Sequence, residues 1–320
     1  MSKSAAETIN GKAYEYACVL ALVDLVSPVR AIKVEESSSV DIARGRFEDD
    51  IDAVEQNQMI KSAKVGIEAI IEMEPRIVED SQDELTVSLQ PDNAAKKGDI
   101  RDVLIIRHKL EWEIGISVKH NHAALKHSRL SQTIDFGKEW VGVPCSENYF
   151  EEIRPIFERL NGLKEAGTKW RDLPDKMTGV YVPLLAAFMK EFKSLESSNK
   201  EITRELVRYL LGSNGRDYYK LIHRKDNTTT VMPFNIYGTL NQASDESAPG
   251  IEIPSFNPPT RIIELSFKEK SLTTVILTMN NGWAISFRIH NATTIVEPSL
   301  KFDIQLQGKP ADMFYLEKKW

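Results

Sequence analysis

Between Asp102 and Lys119 the sequence lays down two strands in succession, and no other stretch limits the fold as tightly. Val103 to Ile106 is a continuous apolar run, Arg107 to Glu111 is a polar turn, and Trp112 to Lys119 (WEIGISVK) alternates with period two. Alternation is what a half-buried strand requires, because successive side chains leave opposite faces. The pattern predicts a hairpin whose first strand opens just after an acid and whose second closes on a lysine.

Residues two apart on a strand share a face, so Ser117 and Lys119 point the same way, with Glu113 and Gly115 farther back on that face. Pairing as a hairpin would let Asp102 and Lys119 converge on one phosphate. Phosphodiester hydrolysis needs that combination: a carboxylate to hold a divalent cation, and a cation or base beside the attacking water. The spacing is similar to the PD-(D/E)xK nuclease signature, an acid opening one strand and a second acid two residues before a lysine on the next. It departs at Ser117, which stands where the second acid should be. Glu15 on the first helix is the candidate for the completing carboxylate, giving Asp102 and Glu15 as metal ligands. Glu113 is the fallback, although it sits about 13 Å along the strand from Ser117 at roughly 3.3 Å per residue. Asp99 is a rival to Asp102, but three residues away in an extended chain it faces the other way.

The rest of the chain divides by pattern. Gly11 to Val26 has apolar residues at helical spacing, with Asn10 as a candidate N-cap. Ser37 to Ser39 reads as a loop, Phe47 to Glu74 as two consecutive helices, Leu85 to Leu89 as a strand and Pro91 to Gly98 as a polar loop. Further helices are expected at Asn148 to Leu160, Leu184 to Leu195 and Lys200 to Leu211, the last closed by Gly212. Strands are expected at Arg261 to Phe267, Leu272 to Met279, Trp283 to His290 and Phe302 to Leu306, with Asn281-Gly282 as a hairpin turn. Pro249 to Pro259 is the linker candidate. The expected architecture is α/β: a catalytic core over residues 1–175, a helical or mixed connecting region over 176–258, and a strand-rich DNA-binding region over 259–320.

A formal net charge of -6 argues against a nucleic-acid binder until its distribution is examined. Residues Glu35 to Asp92 hold 16 acids and 5 bases, so the remainder of the chain is basic on balance. Lys119 to Lys138 carries Lys119, Lys126, Arg129, Lys138 and three histidines against the single acid Asp135. Screening confines exposed charges to roughly 8 to 10 Å, so such a patch can bind phosphates on an acidic protein. His120, Asn121, Lys126, His127 and Arg129 are therefore candidate DNA contacts. So are Arg288, His290 and Asn291, since arginine to guanine is the commonest base-specific pairing.

Other chemistries find less support. Cys18 and Cys145 form neither a disulfide framework nor a zinc motif. His120, His122 and His127 lack a fourth zinc ligand, and the string His120-Asn121-His122 has none of the dispersed spacing of an HNH nuclease. The apolar run Ala17 to Val23 is too short to span a bilayer, so a cytoplasmic protein with no membrane partner is expected.

Four segments carry a wider resemblance: NGKAYEYA, GDIRDVLI, EIGISVKHNHAALKHSRLS and RIHNATTIVEPSLKFDIQL. Together they resemble the HaeIII family of type II restriction endonucleases. The resemblance implies a PD-(D/E)xK restriction-endonuclease-like core, Mg2+ as cofactor and cleavage of double-stranded DNA within GGCC. It also implies that Asp102 and Lys119 are catalytic and that Ser117 is the variant position. A palindromic site suggests a homodimer on DNA, with a monomer as the alternative, and a cognate DNA methyltransferase that need not touch this chain. The competing readings are a repair or nicking nuclease on the same core and a DNA-binding protein that does not cleave.

Overall fold

A computed structural model of the protein describes residues 3–79, 83–91, 98–120, 124–212, 215–254, 256–308, 310 and 312–320; at residues 3–6, 124, 126 and 127 it describes the backbone only. The chain runs through α1 (Lys3–Val26), β1 (Ile32–Val34), α2 (Ser38–Asp50), α3 (Ala53–Met73), β2 (Leu85–Leu89), β3 (Val103–Arg107) and β4 (Trp112–His120). It continues with β5 (Ala124–Ser131), α4 (Phe136–Val141), α5 (Glu147–Glu165), α6 (Val182–Ser198) and α7 (Ile202–Leu211). The remaining strands are β6 (Tyr218–His223), β7 (Thr228–Phe234), β8 (Ile262–Phe267), β9 (Thr274–Met279), β10 (Ala284–His290), β11 (Ser299–Gly308) and β12 (Leu316–Lys319). The α/β class is as expected. Among the described residues no helix is long and apolar enough to cross a membrane.

Two compact units emerge, and the chain passes between them repeatedly. The first comprises residues 1–123, 212–256 and 312–320, the second 124–211 and 257–311. The expected boundaries at 175/176 and 258/259 assumed contiguous domains. Only the second lies close to an observed crossing, and the 218–234 segment, expected in a connecting region, belongs to the first unit's sheet.

The first unit is a seven-stranded mixed sheet in the order β1-β2-β3-β4-β6-β7-β12. β2, β3 and β4 form an antiparallel meander, and β6 then lies parallel to β4. The chain between β4 and β6 is the whole 124–211 segment, long enough for the crossover that parallel pairing demands. Helices α1 and α3 pack against the sheet and against each other, burying Tyr14, Ala17, Cys18, Leu22, Ile67 and Ile70 with Ile105, Ile114, Ile116 and Leu221. Capping fixes where these helices begin. The Ser37 hydroxyl accepts the Val40 amide, and the Asp52 carboxylate accepts those of Val54 and Glu55. The Ser37–Ser39 segment is thus a helix start and not a loop. Asn10 is no N-cap, because α1 begins a full two turns earlier, and its side-chain amide donates to Glu55 at 3.3 Å. The proline-rich segment is no free linker either: the Gly250 amide donates to the Glu72 carbonyl, and Ile251 and Ile253 pack on the core.

The second unit is a five-stranded antiparallel sheet in the order β5-β11-β10-β9-β8, with α4 to α7. One face is apolar: Phe287, Leu300, Phe302 and Ile304 are buried, Trp140 and Phe188 make ring contacts with both Phe287 and Phe302, and Phe136 packs against Trp140 and Phe188. Asn281 and Gly282 both take positive φ (59° and 79°), the conformation a two-residue hairpin turn requires.

Candidate active site

Asp102 immediately precedes β3, whose pairing with β4 ends at Val103 opposite Ile116. Past that point the Asp102 carboxylate takes over. Its Oδ2 accepts the Val118 amide at 2.6 Å, the Lys119 ammonium at 3.2 Å and, at longer range, the Ser117 hydroxyl at 3.4 Å. Lys119 Nζ also donates to the Val118 carbonyl at 2.9 Å. The fold gathers Asp102, Ser117 and Lys119, the three residues singled out by their spacing, around one oxygen. Their exposure differs: the side chains of Asp102 and Lys119 are 24% and 23% accessible, whereas Ser117 is 2% exposed. The acid and the lysine can reach a ligand from solvent, and the serine forms the wall behind them.

Glu15 enters from α1, which lies against β4. It is 7% exposed and accepts Lys12 Nζ at 3.0 Å. Burial, and then the negative charge of Asp102, push its carboxyl up to about 8, while Lys12 and Lys119 pull the other way. The two carboxylates are thus within each other's field.

The rival acids are engaged elsewhere. Arg101 folds over Gly115 and binds Asp99 through Nε and Nη2 (2.8 and 2.6 Å) and Glu113 through Nη1 (2.6 Å). Glu113 also pairs with Arg216 at 3.1 Å. A Cβ at Gly115 would stand 2.2 Å from Arg101 Cδ, so glycine is what lets the arginine lie there.

One residue of this face escaped the sequence reading. The parallel register sets Lys220 of β6 level with Ser117, and laterally paired residues share a face. Lys220 is 3% exposed; burial and the Lys119 ammonium pull its ammonium down to about 7, against the opposing pull of Asp102. Its strand, YYKLIH, is buried along its whole length and so shows no alternation to mark it.

The proposed DNA-contacting residues fall in several places. His120 closes β4, stacks on His223 (centroids 4.8 Å apart, planes 8°) and lies 3.8 Å from Glu55. Asn121 lies outside the described residues. Lys126 and His127 belong to the β5 backbone, paired with Ile304 and Asp303. The register places Arg129 level with Lys301, and Lys301 level with His290, with Arg288 two residues along the same face. This row lies on the face opposite the Phe287 and Phe302 core, and Lys301 joins it unforeseen. Arg129 donates to Ser299 at 2.9 Å, and Arg288 pairs with Asp303 at 3.0 Å. His290 sets Nδ1 3.1 Å from the Asn291 carbonyl oxygen. Asn291 is occupied within the protein: its Oδ1 accepts Lys176 at 2.7 Å and Tyr181 at 3.2 Å.

Among the described residues no group of three or more His, Cys, Asp or Glu is placed to hold a metal ion. Asp102 and Glu15 still fit a small hard cation. Two carboxylates crowded together with one partly buried are relieved by a divalent ion, and Mg2+ takes few protein ligands and keeps several waters.

The HaeIII restriction endonuclease family model matches residues 11–310. The chain is similar to the type II restriction enzyme HaeIII of Haemophilus aegyptius, 44% identical over 313 residues that cover 97% of each protein. No solved structure matches it.

Proposed function

The chain belongs to the HaeIII restriction endonuclease family and is a type II restriction endonuclease, and from that premise we propose that it hydrolyses both strands of duplex DNA at GGCC with Mg2+ held by Asp102 and Glu15. The observation that carries this reading is the meeting of Asp102, Lys119 and Ser117 at one carboxylate oxygen beside a buried acid. The β2-β3-β4 meander followed by parallel β6 supports a PD-(D/E)xK core, with serine in place of its second acid.

When bound, Mg2+ supplies Lewis acidity, making a hydroxide available near neutral pH and offsetting charge on the phosphate. The protein's own groups do the rest. Asp102, fixed by the Val118 amide, holds its carboxylate at the sheet fork. Lys119 orients the attacking water and faces the developing charge on the phosphate. Glu15, whose carboxyl is pushed up to about 8 by burial and then by the charge of Asp102, would share the cation with Asp102. Cleavage leaves 5'-phosphate and 3'-hydroxyl ends.

We assign DNA holding and reading to the polar face of the second unit's sheet, through Arg129, Lys301, Arg288 and His290; His120, Asn121, Lys126 and His127 are further DNA-contact candidates on the basic charge of their sequence segment. The enzyme works in the cytoplasm as a homodimer on its palindrome, with a methyltransferase protecting the host site without contacting it. Digestion of a sequenced plasmid over a Mg2+ titration tests the reading: discrete fragments ending at GGCC support it, and no cleavage at any Mg2+ concentration overturns it.

A further inference from the structure

The centre contains a second lysine that the PD-(D/E)xK-like pattern does not include. Lys220 lies in the sheet interior, bordered by β4 and β7, level with Ser117 and on the face that carries Ser117 and Lys119. Its strand neighbours Tyr218, Tyr219, Leu221 and Ile222 are all buried. An aliphatic side chain would fill such a position with no charge to desolvate. The fold instead keeps an ammonium there, within the fields of Asp102 and Lys119.

We propose that Lys220 is a positioning residue of the cleavage centre: from its place level with Ser117 its charge offsets the Asp102 carboxylate and repels Lys119 toward the substrate. The inference rests on the reading of Asp102 and Lys119 as the cleavage centre.

Lys220→Met and Lys220→Arg, made in the full-length enzyme, separate this role from a structural one. Methionine keeps length and removes the buried charge. A purely structural lysine predicts a lower melting temperature with cleavage unchanged where the protein is folded. A positioning lysine predicts that metal-free Lys220→Met melts at or above the wild-type temperature and binds GGCC duplex in EDTA within threefold of wild type. Its single-turnover cleavage in Mg2+ should fall at least fiftyfold, with kcat and not KM carrying the loss. Lys220→Arg, which restores the charge, should recover at least a tenth of the wild-type rate. Lys220→Met cleaving within threefold of wild type overturns the proposal, as does equal loss in both variants. Lys119→Ala run alongside tells the two readings apart: if it still cuts at the wild-type rate the centre itself is wrong, and if it is dead while Lys220→Met is active only the role of Lys220 falls.

Discussion

The Asp102 carboxylate accepts the Val118 amide at 2.6 Å, just beyond the last position at which β3 and β4 pair. One side chain thus does two jobs, ending a ladder and presenting a charge. Asp102→Asn keeps an acceptor for the amide and should leave the melting temperature nearly unchanged, while Asp102→Ala leaves a buried N–H without its acceptor at a cost of about 1–3 kcal/mol. Both should lower plasmid cleavage by at least about a hundredfold, since both remove the charge. Thermal melts and timed digests of the two variants give the comparison.

Lys119→Ala should abolish detectable cutting, a loss of about 10²–10⁴ for a lost proton-handling or charge-stabilising group. Specific binding in EDTA should persist. Gel-shift titration beside a digest checks both, and full activity in this variant would remove the mechanism.

Ser117→Ala should retain cleavage within about tenfold, because the contact to Asp102 is long at 3.4 Å and a hydrogen bond of this kind contributes about 0.5–1.5 kcal/mol. A loss of a thousandfold would give the hydroxyl a direct part in the chemistry.

Gly115→Ala should be severe in spite of its size. The new methyl would meet Arg101, and that arginine is pinned by Asp99 and Glu113 and directly precedes Asp102. Loss of both stability and activity is expected, measured by melting temperature and by cleavage below it.

Stability should respond to pH through Glu74, which is fully buried, accepts Tyr219 Oη at 2.6 Å and is pushed up to about 7, chiefly by burial. Unfolded, it ionises near its ordinary value, so between about pH 4.5 and pH 7 the native state keeps a proton the unfolded chain has released. Its contribution is therefore present at low pH and lost as pH rises through 7, by about 3 kcal/mol. Glu74→Gln should raise the melting temperature relative to wild type at pH 8 and change it little at pH 5.

The hairpin was readable because its signals are local: alternation in WEIGISVK, an acid before one strand and a lysine ending the other. Glu15, on a helix with a helical apolar pattern, lies within the field of Asp102, as a carboxylate completing the charge at Ser117 would. β6 and β7 were not readable, since a strand buried on both faces loses its alternation and its parallel partner lies a whole unit away in sequence. Lys220 was lost with them, as a lysine in an unassigned segment reads as surface. Asn291 differs from its neighbours Arg288 and His290: its side-chain oxygen accepts Lys176 and Tyr181, partners far enough off in sequence to leave no local signal.

The chain crosses between its two units after residues 123, 211, 256 and 311. No single recombination point in the gene can therefore exchange one unit and leave the other whole. Transplanting the second unit into a relative would require two coordinated inserts, with four junctions joined in register. A single crossover anywhere between residues 123 and 311 would leave the first unit's sheet assembled from strands of two parents, so strand-to-strand packing in both parents must match for the product to fold.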